Sequence, residues 1–341
     1  MKLFQCKNAF AASLAAPVLS LLLAAAAHAA NPDKPGEGVK VTPIFPTIAE
    51  ERFRGEIAMA GLEALGYDVQ KPKETDYPAL FLALSYGDAD FTVHMWEHLH
   101  AAFYDKAGGD DTLVKVGDVM PGVLQGFMID KKTAEAHNIK DVSDLKKPEI
   151  AKLFDSNGDG KADLTGCNPG WGCELIVEHQ LKAYGLNDTV TDNRGSYFAL
   201  MADTISRYQQ GQPILYYTWV PQWISGVLVE GRDVVWLPVP FTSLPDGKND
   251  LNTTFEGKNL GAPIDTVKAV LNKDFAEKNP AARKFLSEVQ ISTADESAQN
   301  LRMQNGEKSP AQIKAQAQEW IKAHQSEWDG WLKDARAAAQ Q

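Results

Sequence analysis

The densest run of chemically capable residues is Gly166-Cys167-Asn168-Pro169-Gly170-Trp171-Gly172-Cys173-Glu174. Two cysteines enclose five residues, among them a proline and two glycines. A bond between the cysteines closes so small a ring that its chain-entropy effect is only about 2 kcal/mol. Its larger effect is to hold Trp171 in one orientation. Val177, Leu181 and Tyr184 follow at helical spacing, which predicts a helix from about Cys173 to Gly185. Backbone N–H groups at its start, including those of Gly172 and Cys173, then point at an anion, and the helix dipole favours a carboxylate there. Gly172 lets a ligand approach the backbone closely. The same residues also fit a stapled surface turn with a packing tryptophan.

Trp96 and His100 lie four apart at the predicted start of another helix, so both face one way. They follow Phe91-Thr92-Val93, at the carboxyl end of a strand, where open α/β sheets place ligands. Trp219 ends a second β-rich run, Pro213 to Trp219, and Pro221 stops its continuation. Three tryptophans at three loop ends make an aromatic cage. A quaternary ammonium has no N–H to donate, so a carboxylate cannot hydrogen-bond it, whereas ring faces attract it by about 0.5–2 kcal/mol each. Taken singly, each tryptophan is equally a core residue.

Two further clusters have metal-ligand chemistry. Asp155, Asn157, Asp159, Gly160 and Asp163 match the first part of a calcium loop, with Gly160 at the sharp turn, but position twelve is Gly166 rather than Glu. The alternative is an Asp/Asn/Gly turn closed by side-chain-to-backbone bonds. His94, Glu97, His98 and His100 suit zinc in type, but they divide between a strand and a helix and lack H-E-x-x-H spacing. No G-x-S-x-G elbow, P-loop or dinucleotide fingerprint occurs, so among enzymes only a secreted hydrolase of unfamiliar arrangement remains.

The elements that must position these residues begin after residue 30. Lys2 and Lys7, an apolar stretch from Ala9 to Ala27 and the small residues of Ala27-His28-Ala29 predict a secretory signal peptide cleaved near Ala29 or Ala30. Cys6 leaves with it, so Cys167 and Cys173 remain as a pair in an oxidising compartment, where a disulfide is the default. Removing Lys2 and Lys7 moves the net charge from −11 to −13, which gives no electrostatic reason to bind nucleic acid. Later, a strand at Val39–Ile44, a helix from Ile48 to Leu65 (Thr47 and Glu50 at capping-box spacing, Gly66 as stop) and Tyr67-Asp68-Val69 open an α/β sheet. A helix over Tyr77 to Ser85 and a strand over Asp90 to His94 follow. The chain leaves a first lobe near Leu124 to Ile129 and returns through the prolines at 238, 240 and 245. This predicts lobe 1 as residues 31–125 and 238–341 and lobe 2 as 126–237. Two crossings make a hinge with a ligand cleft between the lobes. The C-terminal region is predicted helical, packed through Trp320, Ile321, Trp328 and Trp331.

Three stretches carry a resemblance to a known family: Leu153-Phe154-Asp155 and Asp159 through Glu174, Met201-Ala202-Asp203-Thr204-Ile205-Ser206-Arg207-Tyr208, and Tyr216-Tyr217-Thr218-Trp219. On these the chain resembles the periplasmic glycine betaine/proline betaine-binding proteins of osmoprotectant ABC importers, across nearly all of its length after residue 30. The resemblance implies an α/β, two-lobed periplasmic solute-binding protein of type II-like fold. It implies a box of Trp96, Trp171 and Trp219 around a trimethylammonium, and a carboxylate held by His100 and the amides of Gly172 and Cys173. It also implies the Cys167–Cys173 disulfide, no cofactor, a monomer, and membrane permease and ATPase subunits as partners. One departure is visible: Glu97-His98 stands where the family has Thr-Pro or similar, which puts a carboxylate beside the cage. The competing ligands are choline and amino acids. An α-amino acid would want an acid for its ammonium, which the cage supplies only if Glu97 turns inward.

Mass spectrometry of the mature protein under non-reducing conditions is expected to find Cys167 and Cys173 oxidised. Two free thiols would remove the constraint on Trp171. Loss of the bond is expected to weaken ligand binding more than it destabilises the fold.

Overall fold

The computed structural model describes residues 31–245 and 247–341. The predicted signal peptide lies outside the described residues. The framework is a seven-stranded mixed sheet organised by one strand, Leu113–Asp130. That strand is long enough to change neighbours midway. From Leu113 to Val123 it pairs antiparallel with Asp265–Asn272, which in turn pairs antiparallel with Phe91–Trp96. From Leu124 onward it pairs antiparallel with Leu215–Val220 and, on its other edge, with Val234–Leu237. Leu215–Val220 then continues in parallel to Ala162–Thr165 and Val190–Asn193. Parallel strands need crossover connections, and the helices Gly172–Ala183 and Tyr197–Gln209 supply them here.

The sheet buries residues on both faces, so its strands are nearly continuous apolar runs. Phe91–Trp96 is buried at every position and runs two residues beyond the predicted His94. The first strand is split into Lys40–Val41 and Ile44–Pro46, which pair in parallel with Asp68–Val69 and Lys73–Thr75. The helix Tyr77–Ser85 has the predicted bounds. The Thr47–Glu50 capping box does not form. The chain enters the next helix, Arg52–Ala64, through a 3₁₀ turn at Ala49–Glu51, and no side chain caps either element. Thr47 Oγ1 instead donates to Asp76 at 2.9 Å, which ties this entry to the start of the following helix. Gly66 ends the helix as predicted, at φ 91°.

Beyond Val234–Leu237 the chain stays with the second half of the sheet for some twenty-five residues. The amide of Val239 donates to Asn259 O, the Tyr184 hydroxyl to Phe241 O, and Gln180 Nε2 to Gly261 O. It rejoins the first half at Asp265, where the Asp265–Asn272 strand begins. Trp328 is buried against Phe285, with ring centroids 5.6 Å apart; Trp320 and Trp331 are half-buried and stack on one another.

Behind the first half lies a fully buried ion group. Arg54 is 1% exposed and pairs with Glu51 at 2.8 Å and with Glu296. Burial works against a charge on Arg54, but the two carboxylates outweigh it and hold the guanidinium above its ordinary range. Arg54→Met leaves two buried carboxylates without a cation. It is expected to lower the unfolding free energy by about 3–5 kcal/mol in urea titrations followed by tryptophan fluorescence. A loss below about 1 kcal/mol would show that water or a proton takes over from Arg54.

Candidate functional site

In the second half of the sheet, Cys167 and Cys173 are joined, with Cα atoms 6.1 Å apart. The helix begins at Gly172, one residue before the prediction, and Trp171 is its N-cap with extended backbone (φ −80°, ψ 152°). No side chain caps this end at Trp171; Glu174 reaches back to accept from the Gly170 amide at 2.7 Å. The amides of Gly172 and Cys173 make no hydrogen bond among the described residues. They are thus free donors at a helix N-terminus, where the backbone dipole favours negative charge. Gly172 is required sterically: a Cβ there would sit 2.8 Å from Leu99 Cγ and 3.0 Å from Leu99 O.

In the first half, the predicted shared helix of Trp96 and His100 is corrected. Trp96 is the last residue of its strand, a turn follows, and His100 is the N-cap of a short helix, Ala101–Lys106. The turn brings the two together all the same. The His100 amide donates to Trp96 O at 3.0 Å, and the Trp96 amide donates to His100 Nδ1 at 3.1 Å. A nitrogen that accepts from an amide carries no proton, so the neutral ring has its proton on Nε2. Burial, reinforced by Arg54, pushes the His100 pKa down to about 3. His100 is therefore a neutral Nε2–H donor at any ordinary pH. The Tyr77 ring packs on it at 3.8 Å between centroids, and the Tyr77 hydroxyl donates to Glu51 Oε2 at 2.6 Å.

Trp219 is the penultimate residue of its strand, which runs one residue beyond the prediction to Val220. It lies beside Trp171 with ring centroids 5.6 Å apart and planes at 78°, an edge-to-face arrangement. Tyr197 packs on Trp219 at 4.8 Å. Trp96, Trp171 and Trp219 are buried, and all three border one cavity of about 360 Å³ together with His100, Gly172 and Cys173. Ile48, Glu51, Tyr77, Leu99 and Gln125 complete its wall. Sequence reasoning missed these five. Their signals are weak, since none lies in a motif and each depends on a neighbour far away in the chain. One cavity is therefore bordered both by three aromatic walls and by three uncharged N–H donors.

Glu97 does not face this cavity. It lies on the outer side with Lys268 at 3.4 Å and Lys115 at 3.6 Å. The amides of His98 and Leu99 are instead received by the Asp265 carboxylate. The Glu97-His98 departure therefore leaves the cage walls untouched. The four candidate zinc residues do not converge: His94 is buried, with Nε2 on Glu51 O and Nδ1 on Thr92. In the candidate calcium loop, Asp155 accepts from the amides of Gly158 and Gly160, and Asn157 accepts from the Asp159 amide. The Asp159 carboxylate accepts from the Lys161 amide, and Asp163 from Ser156, Asn157 and Asn193. Bonds from the Gly160 and Gly158 amides hold the Asp155 carboxyl below its usual range. Among the described residues no three His, Cys, Asp or Glu side chains are grouped to hold a metal ion.

Comparison with known proteins agrees with this geometry. Residues 39–323 match the family described as the substrate binding domain of ABC-type glycine betaine transport system. The glycine betaine-binding periplasmic protein OusX of Dickeya dadantii is 50% identical over 96% of this chain and 98% of that protein. The glycine betaine/proline betaine-binding periplasmic protein of Escherichia coli is 51% identical over 90% of this chain and 93% of that protein. In fold, the chain is similar to lactococcal OpuAC solved closed with glycine betaine, at a TM-score of 0.65 and 24% identity over 86% of this chain and 99% of that one. The two-lobed α/β solute-binding fold is thereby established, and the chain belongs to the family of substrate-binding domains of ABC-type glycine betaine transport systems.

Proposed function

We propose that this protein captures glycine betaine or proline betaine in the periplasm and delivers it to the permease and ATPase subunits of an ABC importer. The observation that carries the reading is the convergence of six residues from three separate segments, three aromatic rings and three N–H donors, on one cavity. The trimethylammonium sits among Trp96, Trp171 and Trp219. The carboxylate lies on His100 Nε2 and the amides of Gly172 and Cys173. A zwitterion matches both ends, whereas choline leaves the three donors without an anion. The periplasmic location rests on the relatives of that name and on the signal-peptide pattern of residues 1–30. The protein acts as a monomer and carries no catalytic step.

Two lobes close on the ligand. The bonds from Tyr184 to Phe241 and from Gln180 to Gly261 favour a second crossing between Gly261 and Asp265 rather than at 238. In the Asp155–Asp163 loop the side-chain bonds to its own backbone favour a self-closed turn over a calcium site.

Calorimetry tests the cage. Trp→Ala at position 96, 171 or 219 is expected to cost about 1–3 kcal/mol of glycine betaine binding, with Trp→Phe costing less. A neutral tert-butyl analogue of betaine keeps the shape without the charge. If it binds as tightly as betaine, the cage is merely hydrophobic.

The anion end has its own test. His100→Ala is expected to weaken glycine betaine by about 1–3 kcal/mol. Because the folded pKa lies at about 3, below the ordinary histidine value, falling pH does not charge the ring until strongly acidic conditions. Ring ¹⁵N shifts of His100 are expected to keep the neutral Nε2–H pattern from about pH 8 to about pH 5. Titration near pH 6.5 would exclude the Trp96 amide bond as its fixed partner.

A further inference from the structure

One buried donor in the cavity wall has no partner. Gln125 lies on the long strand just beyond the point where that strand exchanges neighbours, directly opposite Trp219 in the antiparallel register. Side chains of such a pair leave the same face of the sheet. Gln125 borders the cavity and is 2% exposed. Its Oε1 accepts from the fully buried Tyr217 hydroxyl at 3.2 Å, which orients the amide. Its Nε2 is buried and unpaired. An unmet buried donor is costly and points to a missing acceptor.

Among the other polar side chains bordering the cavity, Glu51, Tyr77 and His100 are accounted for. Glu51 is engaged by Tyr77 and Arg54, and Tyr77 by Glu51. His100 has Nδ1 taken, and its Nε2 belongs to the anion end. A carboxylate offers about four lone-pair sites. His100, Gly172 and Cys173 supply three donors, so one site is left over.

We infer that Gln125 is a ligand-contacting residue that selects for the anion end, its Nε2 donating to a carboxylate oxygen of the bound zwitterion as the fourth donor. This rests on the betaine reading above. It adds a side chain on the strand common to both halves of the sheet, so the ligand is gripped by the strand that joins the two halves as well as by groups on either side of it. Tyr217 is a positioning residue in this scheme, because its hydroxyl decides which end of the amide is left for the ligand.

The test compares two ligands on the mature protein. Tetramethylammonium shares the cation with glycine betaine and has no acceptor. Gln125→Met keeps the length of the side chain and removes its polarity. It is expected to weaken glycine betaine by about tenfold or more, and to leave tetramethylammonium, titrated at millimolar concentration, within about twofold of the unsubstituted protein. Gln125→Met also leaves the buried Tyr217 hydroxyl without its acceptor, so the melting temperature without ligand is expected to fall, and both ligands are compared at a temperature where the variant is folded. Gln125→Glu should weaken glycine betaine further by charge repulsion. Independently of any substitution, the Gln125 side-chain amide protons should move downfield on adding glycine betaine and stay in place with tetramethylammonium. Equal losses for both ligands, no loss for glycine betaine, or tighter binding by Gln125→Glu would overturn the inference. The last outcome would mean that Oε1 faces the cation instead. Failure of the unsubstituted protein to bind glycine betaine would sink the betaine reading and not the role of Gln125 alone.

Discussion

The structure depends on a single strand keeping its backbone hydrogen bonds satisfied while its neighbours change. Leu113–Asp130 pairs with one set of strands up to Val123 and with another from Leu124. Each of the strands that carry a cavity tryptophan belongs to one of those sets. Trp96 arrives through Asp265–Asn272, and Trp219 through direct pairing. Trp171 follows a strand, Ala162–Thr165, that is attached to Leu215–Val220. A two-sided cavity follows from this topology, because its walls are carried by elements attached to different stretches of that strand.

The electrostatics divide the work in a consistent way. The Glu51–Arg54–Glu296 group reaches the cavity wall at Glu51, which Arg54 and the Tyr77 hydroxyl hold. Three donors bordering the cavity are neutral: an imidazole held in one tautomer and two backbone amides. A cationic side chain in that position would bring its own desolvation penalty and would attract any small anion. Neutral donors contribute little until an acceptor arrives in the right place, which favours geometry over net charge in choosing the ligand. The tryptophan rings that border the cavity would act on a cation in the same manner, with ring quadrupoles in place of a carboxylate.

What could be read in the sequence was what is local in the chain. The Cys167–Cys173 ring, its tryptophan and the helix after it occupy fewer than twenty residues, and their chemistry follows from spacing. The Tyr77–Ser85 helix carried its own start and stop. The errors arose where a long-range partner won. Thr47 had capping spacing but bonds Asp76, twenty-nine residues away. Trp96 and His100 had helical spacing, yet the strand extends through Trp96 because Val267 pairs with it. Glu97 is drawn outward by Lys268, which no local pattern announces. Glu51 and Tyr77 lie twenty-six residues apart, and only the fold makes them neighbours.

Gly172 shows how one missing side chain serves two purposes. Its amide faces the cavity, and its Cα lies so near Leu99 that even a methyl would collide with that residue's side chain and carbonyl. Leu99 belongs to the turn after Trp96, and Gly172 to the helix beyond the disulfide ring, so this contact is where the two rims of the cavity touch. A side chain at 172 would act as a doorstop, propping the rims apart whether or not a ligand was present. An alanine there would leave every cavity ring and every donor chemically intact and still force Leu99 away from the start of the helix.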